Sequence, residues 1–150
     1  MKKWAMWLGP GLIVALTDQL VKHMTEGVEC PLIPGVVAIR SVHNSGMAMG
    51  LFQGQALGIL AVSALLMGVC AWLLVSLKPG GLAAAAVSMM AGGALGNIVD
   101  RVWLGCVRDM FDLQFMDFYV FNVADVGVVL GAVLCGVSVI FLPDEWRKKA

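Results

Sequence analysis

Charge is scarce in this chain of 150 residues: only 13% of it is Asp, Glu, Lys or Arg, where soluble domains carry about 25%. A soluble protein of this length has no means of burying a sequence that is 60% hydrophobic, with a mean hydropathy of +0.89, so a bilayer must cover part of it. Ten basic residues balance ten acidic ones, which removes any overall electrostatic case for nucleic acid as a partner. The same composition excludes intrinsic disorder. Histidine is nearly missing, with His23 and His43 alone, and there is no HExxH and no Ser-His-Asp arrangement. The four cysteines, Cys30, Cys70, Cys106 and Cys135, form no CxxC pair, so neither a zinc site nor a redox motif is expected, and no metal or cofactor is called for. Cys70 and Cys135 fall in apolar runs and read as small hydrophobes. Nothing argues for a bridge between Cys30 and Cys106.

What is present is four long apolar runs, at about 4–22, 56–77, 82–100 and 120–142. A helix needs about 20 such residues to cross the hydrocarbon core, so four crossings are expected of one membrane domain. The first run is read as a retained helix and not a cleaved leader, because three more follow it. With the N-terminus in the cytoplasm, that side carries Lys2, Lys3, Lys78, Arg147, Lys148 and Lys149, and the outer side Lys22, Arg40, Arg101 and Arg108. This bias places both termini inside. Most acids gather toward the outer side, leaving only Asp144 and Glu145 within.

Two outer segments, 23–55 and 102–119, join the runs. The alternating β-branched stretch 36–42 predicts a short strand. The second segment sets Phe111, Phe115, Phe118 and Tyr119 among Asp109, Asp112 and Asp117, a composition suited to the headgroup level. Gly92 and Gly96 form a GxxxG spacing that lets a neighbouring helix come close.

Ionisable groups inside a span are costly and mark function by default. Asp18 and Lys22 lie four apart, on one helical face. Asn97 and Asp100 lie three apart, as do Asn122 and Asp125, at matching depth near the outer surface. Two carboxylates brought within reach share one proton, and a water between them is open to deprotonation by one while the other polarises a carbonyl. Peptide-bond hydrolysis by paired aspartates is therefore the strongest chemical option. Taken singly, each acid is better explained as a helix cap or headgroup contact: Asp100 reads as an ion pair with its neighbour Arg101, Asp112 and Asp117 as solvated loop acids, His43 as a hydrogen-bonding loop residue. That explanation is weakest for Asp125, which a long uncharged run follows. The competing classes are a small four-helix transporter or channel, with Asp18 and Asp125 as ligands, and a thiol oxidoreductase using the cysteines.

Five motifs occur in order: Asp18-Gln19-Leu20-Val21-Lys22; Val42-His43-Asn44-Ser45-Gly46-Met47-Ala48-Met49-Gly50; Gly92-Gly93-Ala94-Leu95-Gly96-Asn97-Ile98-Val99-Asp100-Arg101; Val107-Arg108-Asp109-Met110; and Phe121-Asn122-Val123-Ala124-Asp125. With them the whole chain resembles bacterial lipoprotein signal peptidase (signal peptidase II). The resemblance implies an aspartic protease of the cytoplasmic membrane that cuts diacylglyceryl-modified prolipoproteins on the amino side of the lipidated cysteine and binds globomycin-type inhibitors. It implies that Asp109 and Asp125 are the catalytic pair and that Asn44, Gly46, Asn97, Arg101 and Asn122 hold substrate. Asp18, Lys22 and Asp100 are then structural supports. It also implies an all-α fold of four transmembrane helices with a small outer β-sheet and a short surface helix that gates the site. Arg108, Met110, Val126, Met47 and Met49 depart from the commonest family pattern without removing a catalytic group.

Overall fold

The computed structural model describes residues 2–46 and 56–147. Helix α1 (Lys2–Thr25) leads into strands β1 (Glu29–Ile33) and β2 (Val37–Asn44). Helices α2 (Ala56–Leu77) and α3 (Gly81–Leu104) follow, then strand β3 (Val107–Leu113), helix α4 (Val123–Phe141) and a 3₁₀ turn (Pro143–Trp146). By length and composition α2, α3 and α4 are able to cross a membrane; among the described residues these are the three such helices, and α1 is not one of them.

Helix α3 is the axis of the bundle and touches α1, α2 and α4. It can do so because its contact faces are nearly bare: Ala83, Ala84, Ala86, Gly92, Gly93 and Gly96 are all buried. The close approach is real. A Cβ at Gly92 would collide with the Gly11 carbonyl of α1, and one at Gly93 with the Ala124 carbonyl of α4. The GxxxG pair thus faces α1, where Gly96 lies against the Asp18 side chain, while Gly93 between them faces α4. On the α2 side the contact is a small apolar cluster of Cys70, Leu74, Ala84 and Val87, with Cys135 packed against it. All four cysteines are free, and Cys70 is a core side chain as its surroundings predicted. At the end opposite the sheet, the Glu145 carboxylate accepts the Ala83 N–H at 2.7 Å, and the Gly80 N–H reaches the Glu145 carbonyl.

The strands form one antiparallel sheet in the order β1-β2-β3. The stretch predicted as a strand is β2, flanked by β1 despite Pro31 and Pro34. The outer segment 102–119 finishes α3 and supplies β3, the strand that the expected outer sheet takes from it. Gly105, at φ 73°, takes the left-handed conformation that stops α3 and turns the chain into β3 two residues later. The apolar run expected to open the last span at 120 enters its helix only at Val123, because Phe121 is held by backbone bonds to Phe111 and Met110. His43 and Asp112 lie on strands, not loops. The expected surface helix is absent from 26–46, and the rest of its segment, 47–55, lies outside the described residues.

Candidate active site

An irregularity between β2 and β3 sets up the site. Ile39 faces Phe111 and Val42 faces Asp109, so β2 spends one residue more than β3 over this interval. That bulge reverses the phase of everything after it. Asn44 consequently lies opposite Val107 on the same face as Asp109, and its Nδ2 donates to Asp109 Oδ2 at 3.0 Å. Without the extra residue Asn44 would face the other way.

Strand alternation then separates Arg108 from Asp109. The Asp109 side chain, 3% exposed, turns to the start of α4, where Asn122 Nδ2 donates to its Oδ1 at 2.6 Å. Asn122 is the N-cap of α4. Its Oδ1 accepts the Asp125 N–H at 2.9 Å while Asp125 Oδ2 accepts the Asn122 N–H at 3.3 Å, a capping box. The cap role and a chemical role therefore coincide in Asp125, since its other oxygen accepts from Asn97 Nδ2 at 2.8 Å. Asn122 Nδ2 also reaches Asn97 Oδ1 at 3.1 Å, which closes a chain from Asp109 through two amides to Asp125.

Both carboxylates line one cavity of about 40 Å³ with Asn44, Asn97, Arg101, Val107, Tyr119 and Val120. One water needs roughly 10–15 Å³ of such space, so there is room for it beside the acids. Arg101 closes one side, its guanidinium donating to the carbonyls of Asn97 and Gly46 at 3.4 Å each. Burial pushes the Asp109 carboxyl up to about 6, helped by the negative charge of Asp125 and opposed by the hydrogen bonds from Asn44 and Asn122. No group of acids, histidines and cysteines among the described residues is arranged to hold a metal ion.

Behind this cavity lies a second polar layer. Lys22 Nζ sits 2.8 Å from Asp18 and 3.2 Å from Asp100, all three side chains being fully buried. Asp18 Oδ1 also accepts the Ala124 N–H in the first turn of α4, an anion at a helix N-terminus. Arg108 joins from β3: its side chain meets Asp100 Oδ1 at 2.8 Å and Gln19 Oε1 at 3.1 Å, and its backbone N–H donates to Asp100 Oδ2. Two acids and two bases thus cancel, and no buried side-chain polar atom among the described residues lacks a partner.

The Asp18–Lys22 pair is as the helical spacing predicted. The expected Asp100–Arg101 ion pair is not formed. Consecutive helix residues point about 100° apart, so Asp100 turns to Lys22 and Arg108 while Arg101 turns to the cavity. The two Asn-x-x-Asp spacings also differ in use: both members of the α4 pair serve the site, whereas Asp100 lies in the layer behind it. Gln19, which donates to Asp18, Asp100 and the Gly96 carbonyl, was not singled out by sequence reasoning; a neutral amide one position from Asp18 carries no charge signal.

The model of the signal peptidase (SPase) II family matches residues 11–141. A lipoprotein signal peptidase of Lactobacillus johnsonii is 32% identical over 95% of this chain and 97% of its own length. One from Parasynechococcus marenigrum is 37% identical over 95% and 89%. A bacterial membrane enzyme solved by the in meso method at 2.3 Å superposes with a TM-score of 0.82 at 25% identity, covering 94% of this chain and 91% of that one. Sequence and architecture agree, and the chain belongs to the signal peptidase II family.

Proposed function

We propose that the protein is a membrane-embedded aspartic endopeptidase that removes signal peptides from diacylglyceryl-modified prolipoproteins, cutting on the amino side of the lipidated cysteine. The observation that carries this reading is the convergence of Asp109 and Asp125, from β3 and α4, on one cavity large enough for water. Asp125 in its ionised form takes a proton from that water, and the hydroxide adds to the scissile carbonyl. Asp109, which holds its proton up to about pH 6 before substrate excludes solvent further, donates to the carbonyl oxygen. Collapse of the tetrahedral species breaks the C–N bond, with the proton on Asp125 passing to the departing amine and the proton on the carbonyl oxygen returning to Asp109. The hydrogen bonds from Asn44, Asn97 and Asn122 keep both carboxyls in register, while Arg101 and the Gly46 carbonyl bind substrate polar groups.

The same reading makes one domain of four spans. Helix α1 joins α2, α3 and α4 as the fourth: at 24 residues it is roughly 36 Å long, and it exposes Leu12, Ile13, Leu16 and Leu20. Its charges Asp18 and Lys22 face inward and neutralise one another. The site then sits at the outer edge of the cytoplasmic membrane, with both termini inside and Trp103, 80% exposed, at the headgroups. Substrate acyl chains lie along the apolar helix flanks. All acids but Asp144 and Glu145 cluster at one end and do not trace a path across, which speaks against a transporter or channel. The oxidoreductase reading needs cysteine pairs on the outer face, whereas Cys70 and Cys135 lie within the helices, Cys70 in the core.

The test is incubation of the purified protein with a diacylated precursor peptide, with and without globomycin, and mass measurement of the products. Cleavage immediately before the lipidated cysteine, blocked by globomycin, is expected. An intact precursor contradicts the reading.

A further inference from the structure

Lys22 is the most deeply buried cation of the second layer, 1% exposed, and all three of its N–H groups are spoken for. Two meet Asp18 and Asp100. The third donates to Asn97 Oδ1 at 3.0 Å. That last bond has a directional consequence. The two ends of an asparagine amide are alike in shape and opposite in polarity, so partners decide which end points where. An ammonium has no lone pair and accepts nothing, so it holds the oxygen end toward itself, as a charged partner added to the neutral N–H that Asn122 gives the same oxygen at 3.1 Å. The N–H end of Asn97 is thereby turned onto Asp125 Oδ1, 2.8 Å away. The reverse orientation would press the Asn97 oxygen against that carboxylate oxygen, a contact that only a proton on Asp125 relieves. The proton would have to come from Asp109, and the pair would begin its cycle with the charge on the wrong member.

We infer that Lys22 is a positioning residue for the cleavage reaction, acting through Asn97 to set which of the two carboxylates starts the cycle ionised. This rests on the peptidase reading above. Replacing Lys22 alone leaves the buried Asp18 without a cation, while Asp100 keeps Arg108, so the informative variants keep the charge balanced. In D18N/K22M the ammonium donor to Asn97 is gone and only the Asn122 amide N–H still reaches that oxygen. In D18N/K22Q an uncharged amide N–H takes its place.

The experiment measures kcat and KM for the diacylated precursor peptide, with thermal midpoints as the control for folding. D18N/K22M is expected to lose about tenfold to a hundredfold in kcat with KM nearly unchanged, and D18N/K22Q to regain most of it. On an Asn97→Ala background, D18N/K22M is expected to cost little more, because the residue it acts through is already missing. Equal rates for the Met and Gln variants, or the same fold loss with and without Asn97, overturn the inference. A wild-type protein that leaves the precursor uncut sinks the peptidase reading itself, and so is distinguished from either result.

Discussion

Asn122 and Asn97 hydrogen-bond to one another at 3.1 Å, amide to amide, and each also donates to one acid, Asn122 to Asp109 and Asn97 to Asp125. The two acids are therefore held by one continuous polar chain whose ends sit on different elements, β3 and α4. What moves one of these elements relative to the other disturbs the pair.

The burial of Asp109 has a consequence for stability. Its carboxyl titrates near 6 in the fold against 3.8 as its ordinary value, so between these limits the folded state binds more protons than the unfolded. The stabilisation from the protonated form is complete below about pH 4 and is lost as pH rises through 6, amounting to roughly 3 kcal/mol. Thermal unfolding in detergent is expected to show a lower midpoint at pH 8 than at pH 5. In Asp109→Asn that decline is expected to shrink, which the same melts check.

Gly93 tests the spacing of α3 and α4. A methyl there meets the Ala124 carbonyl and Val128, backbone and side chain of the helix that carries Asp125. Gly93→Ala is expected to push α4 outward at a cost of about 1–3 kcal/mol and to lower kcat by more than the stability loss alone explains. Gly136, with open space around its Cα, supplies the control: Gly136→Ala is expected to leave the melting midpoint unchanged or slightly raised.

Glu145 holds the other end of the bundle. Its carboxylate accepts the Ala83 N–H at the start of α3, where Gly80 supplies no side-chain cap. Glu145→Ala is expected to destabilise by about 1 kcal/mol while kcat for the precursor peptide stays at the wild-type value, because the site lies at the far end of α3. Urea or thermal unfolding alongside the peptidase assay checks both.

Much of this was legible from the residues, for physical reasons that differ element by element. Asp125 announced itself because a carboxylate opening a long apolar run needs a reason to be there. Asp18 and Lys22 were legible from helical spacing alone, and Gly92 and Gly96 from the closeness they permit. Asp109 was less so: it stands nine residues after Asp100 in a segment short enough to fold back over the outer surface, but among acidic, aromatic neighbours only the resemblance pairs it with Asp125. The bulge that brings Asn44 beside it leaves no trace in composition. Chain adjacency misled at Asp100–Arg101, where helical geometry sends neighbours to different faces, and separated Arg108 from Asp109 by strand alternation instead. Glu145 gave no signal because its partner, the start of α3, is remote in sequence.

The central claim is that Asp109 and Asp125 manage one proton between them at a shared water. Asp125→Asn keeps the shape of the side chain and removes an ionisable oxygen, and Asp109→Asn does the same on the other side. Each variant, purified and shown by its melt to be folded, is incubated with the diacylated precursor peptide and the products are weighed. The account predicts uncut precursor in both cases; cleavage at the wild-type rate by either variant would contradict it.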